Sequence, residues 1–251
     1  MPASSDIQRI CGYRERSSRP VRRREVPSGD VTMILSLGPA IDVDGQPRTS
    51  FLASLHEAPA LTAYRGPQHG IEVNLTPLGA RRLFGMPMHE LTNEVVDLDA
   101  LWGRAGDELC ERVHGTEGWA GQLGLVDDFL AARLAEARPP ELEIAWAWHR
   151  IRRNEGRGAV ADLRQELGWS ARRLVREFRE QIGLAPKALS RVLRFDRAVR
   201  QLGEGDPLGD VALDCGYCDQ PHFNRDFRQF AGTSPSDYLA KVMPGSGGVA
   251  A

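Results

Sequence analysis

The chain has no long apolar run and few cysteines. No stretch approaches the ~18–20 apolar residues that a membrane-spanning helix needs, and the start, MPASSDIQRICGYRERSS, lacks the apolar centre of a signal peptide. Of the four cysteines, Cys11 and Cys110 are isolated, so there is no disulfide framework, which fits a reducing compartment. We therefore expect a cytoplasmic protein without membrane contact.

Lysine is nearly absent. Of the 32 Lys and Arg residues, only Lys187 and Lys241 are lysine, and arginine suits bidentate contacts with phosphate or guanine. The net charge of -2 averages over two unequal halves. Residues 151–241 carry 16 Lys and Arg against 13 Asp and Glu, whereas residues 1–150 carry 16 against 21. The charge of the second half is therefore compatible with a nucleic-acid partner.

The composition changes along the chain in a way that predicts an α+β protein. Residues 1–29 are Arg-rich and broken by Pro and Gly, which predicts a flexible arm. Residues 30–137 begin with short apolar runs, VTMILSLG, FLASL, LTAY and IEVNL, which are typical of antiparallel strands, and end in helical patterns. Residues 141–241 have helical patterns throughout, and residues 242–251 are expected to be a disordered tail. We predict a β-rich domain followed by helices, then an all-α domain.

Three helices are predicted within residues 30–137. In TPLGARRLFG, Thr76 is a candidate N-cap, Pro77 suits the first helical position and Gly85 ends the helix. DLDALWGRAGDELCERVHG and WAGQLGLVDDFLAARLAEA each carry an apolar stripe at helical spacing. The stripe of the second buries itself in its own domain or against a second copy of the chain.

An internal repeat organises the helical region. The windows LRQELGWSARRLVREFREQIGLAPKAL and VALDCGYCDQPHFNRDFRQFAGTSPSDYL align, with Gly168 matching Gly216. In each, a short helix ends at the glycine, and Ser170 or Asp219 is a good N-cap for a following helix with buried residues at i and i+4. The pattern predicts a helix-turn-helix, twice.

The repeat also bears on the pair Cys215 and Cys218, whose spacing allows a redox dithiol or half of a zinc site. Cys215 takes the position of the apolar Leu167, and His222 is the only further ligand nearby. We interpret Cys215 as a packing residue, with redox sensing and zinc as alternatives.

Residues 145–239 resemble the paired helix-turn-helix DNA-binding domain of AraC/XylS-type transcriptional regulators. The most specific piece is DVALDCGYCDQPHFNRDFRQFAGTSPSDYL, with its Gly-aromatic, Phe, Arg, Phe, Gly and Ser-Pro positions. The resemblance implies two similar subdomains joined by a long helix over residues 186–202. Each subdomain would place one recognition helix in the major groove, about one turn of DNA apart. It further implies promoter DNA and RNA polymerase as partners, and it implies that the chain acts as a monomer or as a homodimer.

The same resemblance implies the DNA-contacting residues, which lie on the two recognition helices. They are Arg172, Arg173 and Arg176 on the first, and Gln220, His222, Asn224, Arg225 and Arg228 on the second. Arginine can bond guanine O6 and N7, and glutamine can read adenine. Alternatively, Arg172 and Arg173 are solvated charges that contact no DNA. Asn224 and Arg228 are alternatively phosphate contacts or ordinary surface residues. Pro221 departs from the polar residue often found in the family.

Three arginines on the long helix, Arg194, Arg197 and Arg200, leave three alternatives open. They form a solvated face, ion pairs or phosphate contacts.

The N-terminal region looks like that of a poorly characterised branch of these regulators and is expected to sense a small-molecule effector or to dimerise. His56, Glu57, His69 and His89 lack paired ligand spacing, so we expect no metal and no cofactor. Because no nucleophile elbow, phosphate-binding loop or H-E-x-x-H occurs, we expect no catalytic residues and no enzyme. The alternative is a DNA-modifying or redox-responsive protein that uses Cys215 and Cys218 or its N-terminal domain.

Overall fold

A computed structural model describes residues 6–241 and 248–250. The N-terminal region is a mostly antiparallel sheet. Its strands are β1 (Ile7–Glu25), β2 (Val31–Ser36), β3 (Ile41–Val43), β4 (Gln46–Arg48), β5 (Ser50–Ala53), β6 (Ala60–Leu75), β7 (Val95–Asp97) and β8 (Gly248–Ala250). The order is β4-β3-β6-β2-β5-β7, with β1 paired to β6. On β2, Val31, Met33 and Leu35 alternate into the core, as a half-buried strand requires.

The predicted flexible arm over residues 1–29 is wrong for Ile7–Glu25. These residues form β1, which pairs antiparallel with β6 from Ile7↔Leu75 to Glu25↔Ala60, with a bulge between Ser17 and Val21. The arginine and serine residues of β1 hide the strand pattern in the sequence. Such residues are tolerated because only one side of this ribbon faces the interior. The predicted tail is also partly wrong, since residues 248–250 pair with β1, while residues 242–247 and 251 lie outside the described residues.

Helices follow the sheet in two groups. The first group is α1 (Pro77–Phe84), α2 (Leu98–Trp102), α3 (Arg104–Gly115) and α4 (Trp119–Glu136), with a 3-10 turn at Met88–Glu90. The Thr76 hydroxyl accepts from Gly79 N–H and Gly85 ends α1, as predicted. The single helix predicted over residues 97–115 is divided at Gly103 into α2 and α3.

The apolar stripe of α4 packs within its own chain. Val126 and Leu130 are fully buried, and the Phe129 ring meets Trp102 edge-on at 5.2 Å. At the start of α4, the Trp119 ring lies so close to Gly12 of β1 that any side chain there would overlap it. The helix therefore covers the near end of the β1–β6 ribbon.

The second group of helices forms the C-terminal region. It comprises α5 (Leu142–Arg153), α6 (Val160–Leu167), α7 (Ala171–Ile182), α8 (Pro186–Glu204), α9 (Leu208–Asp214), α10 (Gln220–Ala231) and α11 (Pro235–Lys241). The predicted α+β class is confirmed: a β-rich N-terminal region precedes two helix-turn-helix units joined by the 19-residue α8. No helix within residues 6–241 is long and apolar enough to cross a membrane.

The two regions share one connected core of buried apolar residues. The helix α7 packs against α1 and the 3-10 turn, where Gly183 faces the Met88 carbonyl. Polar contacts cross the same junction: Arg152 Nη1 lies 2.7 Å from Asp30 Oδ1, and Arg81 Nη2 lies 3.4 Å from Glu180 Oε1. The first helix-turn-helix unit is thereby fixed to the N-terminal region.

We predict that Gly156→Ala destabilises the chain more than alanine at Gly158 or at Gly124. Gly156 has φ 75°, and a Cβ there would lie 2.1 Å from the Ser190 carbonyl oxygen on α8. Strain and overlap together should lower the free energy of unfolding by about 3 kcal/mol, measured by urea titration.

Two alanine variants separate these causes. Gly158 also has a positive φ (101°) but only a distant side-chain neighbour, so Gly158→Ala should cost about 1 kcal/mol. Gly124 lies within α4 with no neighbouring atom, so Gly124→Ala should stabilise by about 0.5–1 kcal/mol. Equal losses for Gly156→Ala and Gly158→Ala would contradict the close approach to α8.

Candidate nucleic-acid interface

The two helix-turn-helix units share the local geometry that the repeat predicts. Gly168 (φ 63°) and Gly216 (φ 76°) both take the left-handed conformation that ends a helix. The Ser170 hydroxyl accepts from Arg173 N–H at 3.2 Å, and the Asp219 carboxylate accepts from His222 N–H at 2.6 Å. Both predicted N-caps are therefore confirmed, and each second helix begins at a defined residue.

The helix α7 exposes four arginines, namely the three predicted DNA contacts and Arg179. Leu174 and Phe178 are fully buried, which leaves Arg172, Arg173 and Arg176 exposed. They differ in their surroundings. The Arg173 guanidinium lies 4.0 Å above the Trp169 ring, and Arg176 Nη2 lies 2.6 Å from Glu177 Oε1. Arg172 makes no ion pair with any other residue of the described part of the chain. Within that part, two of the three guanidiniums are held by neighbours and the third has no counter-charge.

The helix α10 has a mixed outer face. Gln220, Arg225 and Arg228 are exposed, whereas Asn224 is half-buried. His222 is also half-buried: its ring meets Tyr217 at 5.2 Å, and Nε2 lies 3.9 Å from Asp226 Oδ2. The structure therefore gives His222 intramolecular partners that the sequence did not predict.

A partly buried ion pair that the sequence analysis missed holds α10 against α8. The Asp226 carboxylate accepts from Arg191 Nη2 at 2.9 Å and from Nε at 3.3 Å, and Arg191 also donates to Gln229 at 2.6 Å. This hydrogen bonding raises the pKa of Arg191. Asp226 follows Phe223 by three positions, which places both residues on the inner face of α10. This spacing was the feature of the sequence that could have predicted a buried acid.

The same ion pair lies beside an aromatic cluster between α8 and α10. Phe195 meets Phe227 at 5.1 Å and Phe230 at 5.2 Å, and Phe223 meets Phe227 at 5.5 Å. All four rings are fully buried, so α8 and α10 share one closely packed apolar contact.

The three arginines singled out on α8 form contacts within the protein. Arg197 and Arg200 form ion pairs, one of the three alternatives, whereas Arg194 forms a hydrogen bond and a ring contact instead. Arg197 and Arg200 both pair with Glu155 in the loop after α5, and Arg200 also pairs with Asp196. Arg194 donates to the Gly156 carbonyl and lies 5.4 Å above the Tyr217 ring. These arginines therefore tie α8 to the two units it joins.

Cys215 is a packing residue in the structure. Its side chain is fully buried, its thiol donates to Gln201 Oε1 at 3.1 Å, and burial raises its pKa to about 11. Cys218 is exposed, and both cysteines are free. Across the described residues, no three His, Cys, Asp or Glu side chains are grouped to hold a metal ion.

A pocket of about 420 Å³ with mixed polar and apolar walls opens in the N-terminal region, lined by the β3–β4 turn, the loop after β5 and the residues before β7. Its walls include Gln46, Arg48, His56, Glu57 and Asn93. Arg48 pairs with Asp97 at 2.6 Å, and His56 Nδ1 lies 2.7 Å from the Ser54 carbonyl. His56 and Glu57, singled out in the sequence, thus line this pocket, whereas His89 lies elsewhere, 3.7 Å from Glu180.

Comparison with known families explains this architecture. Residues 163–241 match a family described as a helix-turn-helix domain, and residues 4–97 match a domain of unknown function, DUF6597. The transcriptional activator RhaR of Pectobacterium atrosepticum is 39% identical over 76 residues, and RhaR of Pectobacterium carotovorum subsp. carotovorum is 38% identical over 76. The C-terminal region is an AraC-type helix-turn-helix domain.

The AraC-type domain is a type associated with transcription regulation and DNA binding. Each alignment with RhaR covers 30% of this chain and 27% of the relative, so the chain spans about a quarter of the curated relatives it matches.

The whole fold is shared with a solved structure. ToxT from Vibrio cholerae O395 aligns with a TM-score of 0.52 at 13% identity, over 92% of this chain and 96% of that one. ToxT bound to (E)-4-(8-methylnaphthalen-1-yl)but-3-enoic acid aligns with the same TM-score at 12% identity, over 92% and 98%. The likeness shows the fold of both regions of the chain.

We predict unequal reactivity of the two neighbouring thiols. The thiolate is the reacting form, so the raised pKa and burial of Cys215 should slow its alkylation by N-ethylmaleimide at pH 7, while Cys218 reacts freely. Peptide mass spectrometry resolves the two sites, and urea should make them equal. Equal labelling in the folded chain, or a Cys215–Cys218 disulfide, would contradict the packing role.

Proposed function

We propose that the chain is a sequence-specific transcriptional regulator that reads two adjacent major-groove sites of promoter DNA, one with α7 and one with α10. One observation carries this proposal. Both helices begin at a side-chain cap, bury their inner face and expose arginine on their outer face. A capped helix with polar residues in its first turns is the part of a helix-turn-helix that reaches base edges.

The roles on α7 follow from the partners of each arginine. Arg172 is free to reach a base edge, and Arg176 reaches one by exchanging Glu177 for guanine O6 and N7. We assign Arg173 to a phosphate, because its guanidinium is already oriented on the Trp169 ring.

The roles on α10 follow in the same way. Gln220 reads adenine and Arg225 reads guanine, since both are exposed at the start and middle of the helix. We assign Asn224 and Arg228 to phosphates. His222 also meets a phosphate, because its ring packs on Tyr217 and its Nε2 faces Asp226.

The spacing of the two sites is set by α8. Its ion pairs with Glu155 on one side and Asp226 on the other fix the two units relative to each other. Recognition helices fixed in this way read elements about 10–10.5 base pairs apart. Because one chain carries both helices, we propose that a monomer suffices for a complete site.

We predict that Arg176→Ala and Arg225→Ala each relax one of two elements. Removal of a bidentate bond to guanine should cost about 1–3 kcal/mol at the cognate base. The measurement is selection of bound sequences from a random duplex pool, followed by affinity titration at fixed salt. Arg112→Ala, which removes an exposed arginine on α3, is the charge-matched control. Unaltered preferences in both variants would refute the assignment of the reading residues.

We further propose that a small polar molecule controls the regulator through the pocket beside β4. Pockets of this size hold small ligands, and its walls supply both charges as well as amide groups. Pro59, on the rim, lies close to Gly232 at the end of α10, so occupation of the pocket bears on the second reading helix. ToxT, which has this fold, binds an organic acid. That binding belongs to ToxT, and it supports our proposal that a chain of this fold is controlled by a ligand.

We predict that Gln46→Trp prevents effector binding. Gln46 is an exposed wall residue, so an indole there fills the pocket without disturbing the core. Compounds from a metabolite library that raise the Tm of the native chain should not raise the Tm of this variant. Thr49→Trp, an exposed change outside the pocket lining, should leave the shift intact. A compound that stabilises both variants equally would place the effector elsewhere.

A further inference from the structure

The β1–β6 ribbon carries an arginine stripe on one face. The register pairs Arg14 with His69, Arg16 with Pro67 and Arg22 with Ala63. Because alternate residues of a strand share a face, Arg65 of β6 lies on the same side as these arginines. All four arginines are exposed. We call Arg14, Arg16, Arg22 and Arg65 the ribbon stripe.

The ribbon stripe has no counter-charge among the residues that the structure describes. Arg16, Arg22 and Arg65 form no ion pair there, and Arg14 lies 5.8 Å above the Trp119 ring. The acids of the ribbon point to the opposite face. On that side Glu15 pairs with Arg23 at 2.6 Å, and Glu25 accepts from the Thr62 hydroxyl at 3.1 Å.

The ends of the stripe place it beside the DNA-reading region. One end is Trp119, where the cover of α4 stops. At the other end Arg24 continues the line, and its Nε lies 3.5 Å from the position that a Cβ on Gly232 would take. Gly232 ends α10, so the stripe is continuous with the second helix-turn-helix unit.

We propose that the ribbon stripe binds phosphates of the duplex flanking the element read by α10, which rests on the proposed function. The N-terminal half is acidic, with 21 Asp and Glu against 16 Lys and Arg, and DNA would repel it. A face with free guanidiniums reverses that repulsion locally. Arginine matches phosphate geometry, and such contacts fix orientation and carry no sequence information.

The test compares three chains, and a lysine variant described below, on three duplexes. The chains are the native protein, the triple variant Arg16→Gln/Arg22→Gln/Arg65→Gln, and the control Arg104→Gln/Arg112→Gln/Arg138→Gln, which removes as many exposed arginines elsewhere. The duplexes hold the selected two-element site alone, or extended by about 10 base pairs on one side or the other. The Arg225→Ala selection identifies the α10 side.

The native chain should gain affinity only when the duplex is extended on the α10 side. The triple variant should lose that gain, keep its affinity for the short duplex and keep its sequence preference. Its slope of log K against log salt on the long duplex should fall by about 0.9 for each phosphate that the variant no longer binds. Arg16→Lys/Arg22→Lys/Arg65→Lys should restore most of the slope, since the charge is retained.

Two results would overturn the proposal. One is an unchanged gain and salt slope in the triple variant, as expected if the stripe binds an acidic protein instead. The other is an equal loss in the control, which would make the effect one of net charge. If the native chain selects no sequence, the proposed function fails, and the salt slope on a random duplex still tests the stripe.

Discussion

The position of α10, the second of the proposed reading helices, depends on the partly buried ion pair between Arg191 and Asp226. A carboxylate taken out of water is costly unless it is paired and hydrogen-bonded, so Asp226 tolerates few arrangements other than the one that Arg191 satisfies. The surrounding phenylalanine rings supply most of the burial, and the ion pair adds a directional contact between α8 and α10. The ion pair fixes which residues of α10 face outward, and through them every assignment made on that helix.

The first reading helix is fixed differently. Its inner face packs on α1 and the 3-10 turn of the N-terminal region, and Arg81 and Arg152 add polar contacts across the junction. A change of shape in the N-terminal region therefore reaches α7 directly, whereas it reaches α10 through Pro59, Arg24 and Gly232. The helices α7 and α10 therefore contact the N-terminal region at separate places.

The sequence predicted the local features well because their causes are local. Ser170, Asp219, Gly168 and Gly216 act within a few residues, so their spacing is enough to locate the turns and the helix starts. The strand β1 was missed because its cause is distant: Arg9 pairs with Glu72, and arginine, serine and proline are weak strand signals alone. The partners of His222 and of the α8 arginines were likewise unpredictable, since Glu155 and Tyr217 meet them only in the folded chain.

The pairing of Arg176 with Glu177 has a consequence for the search along DNA. On random sequence, a free guanidinium would settle on any phosphate within reach and prolong each encounter. Glu177 competes for that guanidinium and is itself repelled by the backbone, so unproductive encounters are shortened. Only a base with two acceptors in one plane, as guanine has, replaces both hydrogen bonds that Arg176 makes to Glu177. Under the proposed function, this pairing costs some affinity at the operator and speeds departure from every other sequence.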